Sequence, residues 1–390
     1  MNKPKSICRS ASKALLCAFA AVSFLGVALA SPRATAQAHD PTRGVVYTAS
    51  NSSSGNEVVA YKRERDGSLV FQQSFPTGGT GNDVGLGGLG NQGGIVMTKR
   101  GHQLLVVNPG SDSVSAFIVQ ANGTLTLTDT EPSNGVLPNS VTISGRVVYV
   151  LNSADAGSIA GFTLDTDGNL TPIPGSIQPL SGMPITAPAQ IQFTPDGSAL
   201  VVTEKMTNLI DTFLVDGNGV ASPPLLHASA GETPFGFDFS RDGYLIVSEA
   251  FGGLPDIGAV SSYSLILSDE LNVITPSSPT NQTAACWIVT TSSGRFAYTT
   301  NTGSGTVSGF AINRATGQLT PLDADGVTAE TGADSVPVDE ALSWDSHYLY
   351  VLNSGTQEIL GFRVNQSDGS LEQVTEVGGV PPFAFGLVAR

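Results

Sequence analysis

Cysteine is scarce in this chain, which has only Cys8, Cys17 and Cys286 among its 390 residues. Two of the three lie close to the N-terminus, in a stretch that we expect to be removed, and Cys286 then has no partner within the chain. This excludes a small fold held together by disulfides. A hydrophobic core must stabilise the protein, and about 350 remaining residues are ample for one.

Positive charge is also scarce. The chain has 18 Lys and Arg against 33 Asp and Glu, a net charge of −15, and only 13% of its residues are charged. An acidic balance of this size argues against binding nucleic acid or an anionic membrane surface. The 45 Gly and 23 Pro favour an all-β chain that is rich in turns.

Residues 1–38 have the pattern of a secretory signal peptide. Lys3, Lys5, Arg9 and Lys13 precede an apolar run from Ala14 to Ala30. Small residues permit cleavage after Ala30 or after Ala38, and we favour the second site. The run is short for a retained membrane anchor, which is the alternative. We therefore predict an exported protein, periplasmic or extracellular, with residues 39–390 as a single domain, a monomer with no membrane insertion after cleavage.

One unit recurs along these residues: an apolar strand that ends in Asn or Glu, followed by a strand with a late aromatic residue and a tight turn. The strand ends are Asn51, Asn108, Asn152, Glu204, Glu249, Asn301 and Asn353. Asp-Gly or Asn-Gly pairs such as Asp66-Gly67 and Asn218-Gly219 mark the turns. Four short strands repeated roughly every fifty residues predict the blades of a β-propeller.

The predicted fold is therefore an all-β, seven-bladed β-propeller with four antiparallel strands in each blade. The first repeat lacks its first strand, and the chain ends with an unassigned segment, "FAFGLVAR", at Phe383–Arg390. We expect this C-terminal strand to close blade 1, which would remove two sheet edges. The glycine-rich insert at Gly78–Gly94 is interpreted as a flexible loop.

Propeller geometry divides the loops between two faces. Loops that join second and third strands, and the links between blades, emerge on what we call the top face; the other turns emerge on the bottom face. Lys205 is the one Lys or Arg that this map puts in a loop of the top face, beside Glu204. Glu249 and Asp256 come from the next blade. No histidine falls at the top mouth of the tunnel, and no His/Cys spacing predicts a metal site.

The repeats resemble the seven-bladed propeller lactonase family, which includes bacterial 6-phosphogluconolactonase and fungal carboxymuconate cyclase. The segments that carry the similarity are "APAQIQFTPDGSALVVTEK", "ETPFGFDFSRDGYLIVSEA" and "CWIVTTSSGRFAYTTNTGSGTVSGF". The sequences of these segments are most similar to an exported, lactonase-like branch of the family. Members with activity have Pro-Arg-His where this chain has Pro188-Ala189-Gln190, and a Pro-His pair where it has Pro138-Asn139. The resemblance therefore implies a small lactone without a phosphate group.

On this basis the leading hypothesis is a lactone hydrolase, or a lactone-forming cyclase, that acts at the top mouth of the tunnel. Glu204 is predicted to be the general base, Lys205 to stabilise a carbonyl or carboxylate oxygen, and Glu249 to assist. The residues expected to contact the substrate are Gln190, Asn139, Asp256 and Asp339. Asp339 and Glu340 both lie on the innermost strand of blade 7, so one should face the tunnel.

Two alternatives remain open at this level. Glu204 and Glu249 would cap loops, as Asn does in other blades, in a propeller that binds a ligand, a metal or a protein without catalysis. A hydrolase assisted by Ca²⁺ would instead use Glu204, Glu249 and Asn side chains. Otherwise no cofactor is expected. Cys286 is predicted to be inert and buried beside Trp287, because no base or cation is evident near it.

Overall fold

The computed structural model describes residues 44–84, 90–266 and 270–390. Within these ranges the regular secondary structure is β-strand, apart from one short 3₁₀ helix at Phe251–Gly253. No helix in the described part is long and apolar enough to cross a membrane. The predicted signal peptide lies outside the described residues.

The strands form seven antiparallel sheets, which are the predicted blades. Blade 1 contains β1 (Gly44–Ala49), β2 (Glu57–Arg63), β3 (Leu69–Pro76) and β30 (Phe385–Ala389). Blade 2 contains β4 (Ile95–Met97), β5 (Gln103–Asn108), β6 (Ser113–Val119) and β7 (Leu125–Pro132). Blade 3 contains β8 (Pro138–Ser144), β9 (Val147–Asn152), β10 (Ser158–Leu164) and the short β11 (Leu170–Pro172) and β12 (Gln178–Pro179).

The remaining four blades repeat this order. Blade 4 contains β13 (Pro188–Phe193), β14 (Ala199–Glu204), β15 (Leu209–Leu214) and β16 (Leu225–Ala228), and blade 5 contains β17 (Pro234–Phe239), β18 (Leu245–Glu249), β19 (Ala259–Ile266) and β20 (Glu270–Pro279). Blade 6 contains β21 (Ala285–Thr290), β22 (Phe296–Asn301), β23 (Thr306–Ile312), β24 (Leu319–Pro321) and β25 (Ala329–Glu330). Blade 7 contains β26 (Pro337–Leu342), β27 (Tyr348–Asn353), β28 (Glu358–Val364) and β29 (Leu371–Gly378).

The C-terminal strand closes the ring, as predicted. β30 pairs with β1 in antiparallel register, with Leu387 opposite Thr48 and Ala389 opposite Val46. Phe385 and Ala389 are buried at this junction. The seven-bladed architecture expected from the repeats is confirmed, and the last residues of the chain supply the innermost strand of its first blade.

Tyrosines of the second strands fasten neighbouring blades together. The Tyr149 hydroxyl of blade 3 donates to the carbonyl of Gly219 in the turn between the third and fourth strands of blade 4, at 2.7 Å. It also accepts the Ala221 amide at 2.8 Å. The same bond to a turn glycine recurs for Tyr47 to Gly123, Tyr298 to Gly369 and Tyr350 to Gly67. These glycines have positive φ, which the Asp-Gly and Asn-Gly turns supply.

Replacing Tyr149 with Phe should destabilise the fold because it leaves the Gly219 carbonyl and the Ala221 amide without their partner. We expect the free energy of unfolding in urea to fall by about 1–3 kcal/mol. Tyr244→Phe is the matched control, since its hydroxyl bonds the Ala315 carbonyl at an exposed position. Equal effects of the two substitutions would contradict a special role for the buried tyrosine.

Candidate active site

Glu204 ends β14 and its carboxylate is fully enclosed by protein. Oε1 accepts the Ser181 amide at 2.9 Å, and Oε2 accepts the hydroxyls of Ser181 at 2.7 Å and Thr207 at 2.5 Å. Its side chain is 0% exposed. Asn353, at the end of β27, caps its loop in a similar way, because its Oδ1 accepts the Val336 amide. The contacts of Glu204 are thus those of a loop cap, and its role as a base stays a prediction.

Glu249 occupies the equivalent place in blade 5 and is also 0% exposed. It accepts the Gly231 amide at 2.8 Å and the hydroxyls of Ser277, at 2.7 Å, and Ser261. Burial raises the pKa of Glu249, although these donors oppose the shift. Among the described residues, no donor is shared between Glu249 and Glu204, so each carboxyl group is held in its own loop.

Of the Lys and Arg residues that the structure describes, only Lys205 lies in a loop that joins a second and a third strand on the top face. Its ammonium Nζ donates to the Gly90 carbonyl and lies 4.8 Å from the centroid of the Phe235 ring. Loss of hydration lowers the pKa of Lys205 to about 8. The thiol of Cys286 is close enough to interact electrostatically with this ammonium, yet burial raises the pKa of Cys286 to about 11. The burial of Cys286 agrees with the prediction of an inert thiol, but the sequence analysis did not predict Lys205 beside it.

The top mouth of the tunnel is crossed by Gly90–Gln92, the end of the glycine-rich insert. The Asn91 side chain donates to the Asn139 carbonyl of blade 3, and Trp287 Nε1 of blade 6 donates to the Asn91 carbonyl at 2.6 Å. All three residues of the segment are buried. The insert was expected to be a flexible loop; residues 85–89 lie outside the described part, but Gly90–Gln92 are packed into the mouth.

The last residue of the segment, Gln92, bonds a strand on another side of the ring. Its amide group bonds both backbone groups of Ile288 across the ring, with Nε2 to the carbonyl at 2.7 Å and the Ile288 amide to Oε1 at 3.1 Å. Gly236 permits this approach, since a Cβ there would lie 2.0 Å from the Gln92 Oε1 atom. Sequence analysis missed Gln92, because nothing in a loop sequence shows which residue will reach a strand 196 positions away.

The predicted substrate-contacting residues do not form one cluster. Asn139 is buried at the mouth and donates to the Pro188 carbonyl at 2.8 Å. Gln190 joins blades 4 and 5, because its amide group bonds both backbone groups of Phe237, at 2.7 and 2.8 Å. Asp256 lies on an exposed loop, whereas Asp339 and Gln190 both line the tunnel cavity.

A cavity of about 500 Å³ occupies the tunnel below Gln92. It reaches the turns of the bottom face, where Lys99 and Trp344 are exposed, and it does not include Glu204, Lys205 or Glu249. Its acidic side chains are Asp238, Asp339 and Glu340. Burial raises the pKa of Asp238, and it raises the pKa of Asp339 and of Glu340 well above their usual range. Glu340, which the sequence placed on the innermost strand, reaches this cavity together with Asp339.

Asp211 is a buried acid that sequence analysis missed. It lies on β15 with 0% exposure, beside the carboxyl group of Glu204. Burial and the negative charge of Glu204 raise the pKa of Asp211 to about 9, so that it carries a proton at neutral pH. The sequence did carry a signal for Asp211: the residue at the same register of the third strand is Ser115 in blade 2 and Ser308 in blade 6, so an acid there is a departure from the repeat.

No metal site is evident in the parts of the chain that the structure describes. No three His, Cys, Asp or Glu side chains there are grouped so that they could hold an ion. The calcium-assisted alternative, which would also use Asn side chains, stays a prediction.

Comparison with known proteins identifies what the fold is similar to. The family model "Lactonase, 7-bladed beta-propeller" matches residues 28–184 and 260–382, which is more than half of the chain. No curated protein matches the chain.

Solved structures share the fold over almost their whole length. A protein from Lactobacillus plantarum is 18% identical with a TM-score of 0.69, and the match covers 90% of this chain and 99% of that one. The periplasmic gluconolactonase PpgL of Pseudomonas aeruginosa is 16% identical with a TM-score of 0.67, over 89% of this chain and 99% of PpgL. A candidate 6-phosphogluconolactonase from Bacteroides fragilis is 20% identical with a TM-score of 0.67, over 90% and 98%. At these identities the likeness shows the fold alone.

Asp211→Asn should make the stability of the protein less dependent on pH. Because the folded-state pKa of Asp211 is raised to about 9, its contribution to stability is lost as pH rises from about 4 towards that value. Between pH 5 and pH 8 the wild type should lose stability relative to the variant with a slope of up to about 1.4 kcal/mol per pH unit. Urea unfolding at pH 5, 6.5 and 8 measures this, with the exposed Asp256→Asn as control. Parallel curves for wild type and Asp211→Asn would show that the assigned titration is wrong.

Proposed function

Because the chain belongs to the seven-bladed β-propeller lactonase family, we propose that it is an exported enzyme that opens the ring of a small, unphosphorylated lactone. The reaction takes place at the top mouth of the tunnel, with Lys205 as the group that binds the carbonyl oxygen. The same site would catalyse the reverse, ring-closing reaction when the hydroxy acid is in excess.

The observation that carries this proposal is the environment of Lys205. Its ammonium lies above the Phe235 ring at a position where burial lowers its pKa to about 8. A cation with little hydration stabilises a developing negative charge more strongly than one in bulk water. A lactone carbonyl develops such a charge when water attacks it, so the ammonium is suited to the tetrahedral intermediate.

The chemistry consumes one water molecule. The water oxygen bonds to the ring carbonyl carbon, and the bond from that carbon to the ring oxygen breaks. One proton of the water passes to the ring oxygen, which becomes the hydroxyl of the product, and the other is released to solvent when the new acid ionises. Lys205 compensates the charge on the carbonyl oxygen and then on the new carboxylate. For this the substrate must replace the Gly90 carbonyl as the partner of Nζ.

Two side chains support the proposal of a substrate without a phosphate group. Asn139 and Gln190 stand where arginine or histidine would be expected, and their side-chain amides already bond the backbone of neighbouring blades. One lysine is a weak receptor for a doubly charged phosphate that arginine would bind with two parallel bonds. Neutral aldonolactones and alkyl lactones suit this surface better.

Glu204 and Glu249 have roles that need separate support. As a base, Glu204 would have to exchange one of its three donors for the attacking water. The hydroxyl of Thr207, one of those donors, belongs to the same loop as Lys205. Glu249, buried in the adjacent blade, would assist only through its charge. We keep both assignments as proposals that their own variants test.

The test is hydrolysis of a panel of γ-butyrolactone, glucono-δ-lactone and a muconolactone, with and without EDTA. Lys205→Met should reduce kcat/KM at least about 100-fold, as expected for a group that stabilises the oxyanion. Lys62→Met, on the bottom face, is the matched control. Since Lys205 acts when protonated, the wild-type rate should fall as pH rises through about 8.

Different outcomes contradict different parts of the proposal. A rate equal to that of the uncatalysed reaction on every lactone removes the enzyme function and favours a binding protein. A rate that increases through pH 8 shows Lys205 acting as a base. Full activity of Glu204→Gln removes the general base, and inhibition by EDTA indicates a metal ion that the described residues do not explain.

Export follows from residues 1–38 and is proposed on that ground. When the full chain is expressed in a bacterial host, the mature protein should begin at His39, or at Ser31 if the earlier site is cut. N-terminal sequencing of the protein from the periplasm and the medium measures this. An intact Met1 on protein in the cytoplasm would contradict export.

A further inference from the structure

The tunnel cavity below Gln92 is separate from the site of the proposed reaction. Gln92 forms its roof, and its open end lies at the turns of the bottom face. Neither Lys205 nor the two glutamates of the top loops contribute to it. At about 500 Å³ it has the size of a small-molecule site, for which roughly 300–1,000 Å³ is usual.

Glu340 is the least expected residue of this cavity. It is 2% exposed, and neither of its carboxyl oxygens has a hydrogen-bond partner in the described structure. In the six other blades the residue at the same register of the innermost strand is hydrophobic, namely Leu387, Ile95, Val141, Ile191, Phe237 and Ile288. A carboxyl group at such a position destabilises the fold unless something pairs with it. Departures from the local rules of folding concentrate at functional sites.

Two further acids share the cavity. Asp339 precedes Glu340 on β26, and Asp238 of blade 5 is close enough to Glu340 for their charges to interact. Asp238 accepts the Thr290 amide and hydroxyl, each at 2.8 Å, while Asp339 accepts the Glu340 amide at 2.7 Å. The wall therefore carries three carboxyl groups, of which Glu340 has the fewest donors.

The arrangement does not suit a metal ion. A divalent ion needs several oxygens that converge on one point, and these carboxyl groups are not grouped in that way. Apolar side chains, among them Ile191, Val289 and Leu342, also line the cavity. Trp344, 44% exposed at the open end, adds an aromatic surface that attracts organic cations.

We propose that this cavity binds a linear aliphatic diamine or polyamine, whose ammonium groups pair with Glu340, Asp339 and Asp238. The methylene segments of such a ligand pack against the apolar side chains of the wall. Its ammonium groups lie on different atoms, so each can pair with a different carboxyl group. A neutral sugar brings no positive charge to stabilise the ionised form of Glu340, and a single metal ion would reach too few oxygens.

The experiment is isothermal titration of the purified full chain with spermidine and 1,4-diaminobutane, alongside CaCl₂ and glucose, at pH 7.5 in about 0.15 M NaCl. We expect one spermidine to bind per chain, with binding at least tenfold weaker in Glu340→Gln. Glu376→Gln is the matched control, because it removes the same charge from an exposed position of the same blade. Trp344→Ala should weaken binding without abolishing it.

Three results would overturn the proposal. Equal loss in Glu340→Gln and Glu376→Gln, or binding of several amines per chain, would show non-specific attraction to an acidic protein. Preferential binding of Ca²⁺ or glucose would assign the cavity to a different chemistry. Unchanged spermidine affinity in Glu340→Gln, with the thermal unfolding curve showing a folded variant, would remove the central contact.

Discussion

The structure depends on how each blade is held to the next. A propeller blade is a small sheet that cannot bury both of its faces alone, so the ring is stable only when every junction is closed. At four junctions a buried tyrosine of the second strand donates to the turn glycine of the following blade. At the first blade the chain terminus completes the sheet. These contacts fix the positions of the blades relative to one another, and hence the distances between side chains that are far apart in the chain.

The tunnel that results is divided in two by the segment Gly90–Gln92. Above the segment, Lys205 lies between an aromatic ring and a buried thiol; below it, three acids line a cavity that reaches the opposite face. A propeller gives this kind of separation readily, because seven inner strands surround a channel with two ends. One ring can therefore carry both the proposed lactone site and the proposed amine site without mutual neutralisation of their charges.

Buried carboxyl groups are the main electrostatic feature of the molecule. Asp211 beside Glu204, and Glu340 beside Asp339, carry raised pKa values because burial disfavours the ionised form and the neighbouring acid adds repulsion. In a chain with so few cations, little in the protein offsets these charges. The acids of the top loops are held by amide and hydroxyl donors instead, which explains why Glu204 can be fully buried.

Local patterns in the sequence were sufficient for the fold. The apolar strands, their polar ends and the Asp-Gly turns recur in the chain itself, and each expresses a short-range preference of the backbone, so the blade number and the closing strand follow from counting. The same holds for the position of Lys205 in its loop. What the sequence does not contain is which groups that are far apart in the chain meet, such as Lys205 with Gly90 and Gln92 with Ile288. Those encounters, and with them the closed mouth, the lowered pKa of Lys205 and the acidic cavity, were decided by the tertiary structure, because burial and charge proximity depend on the closed ring and not on any single repeat.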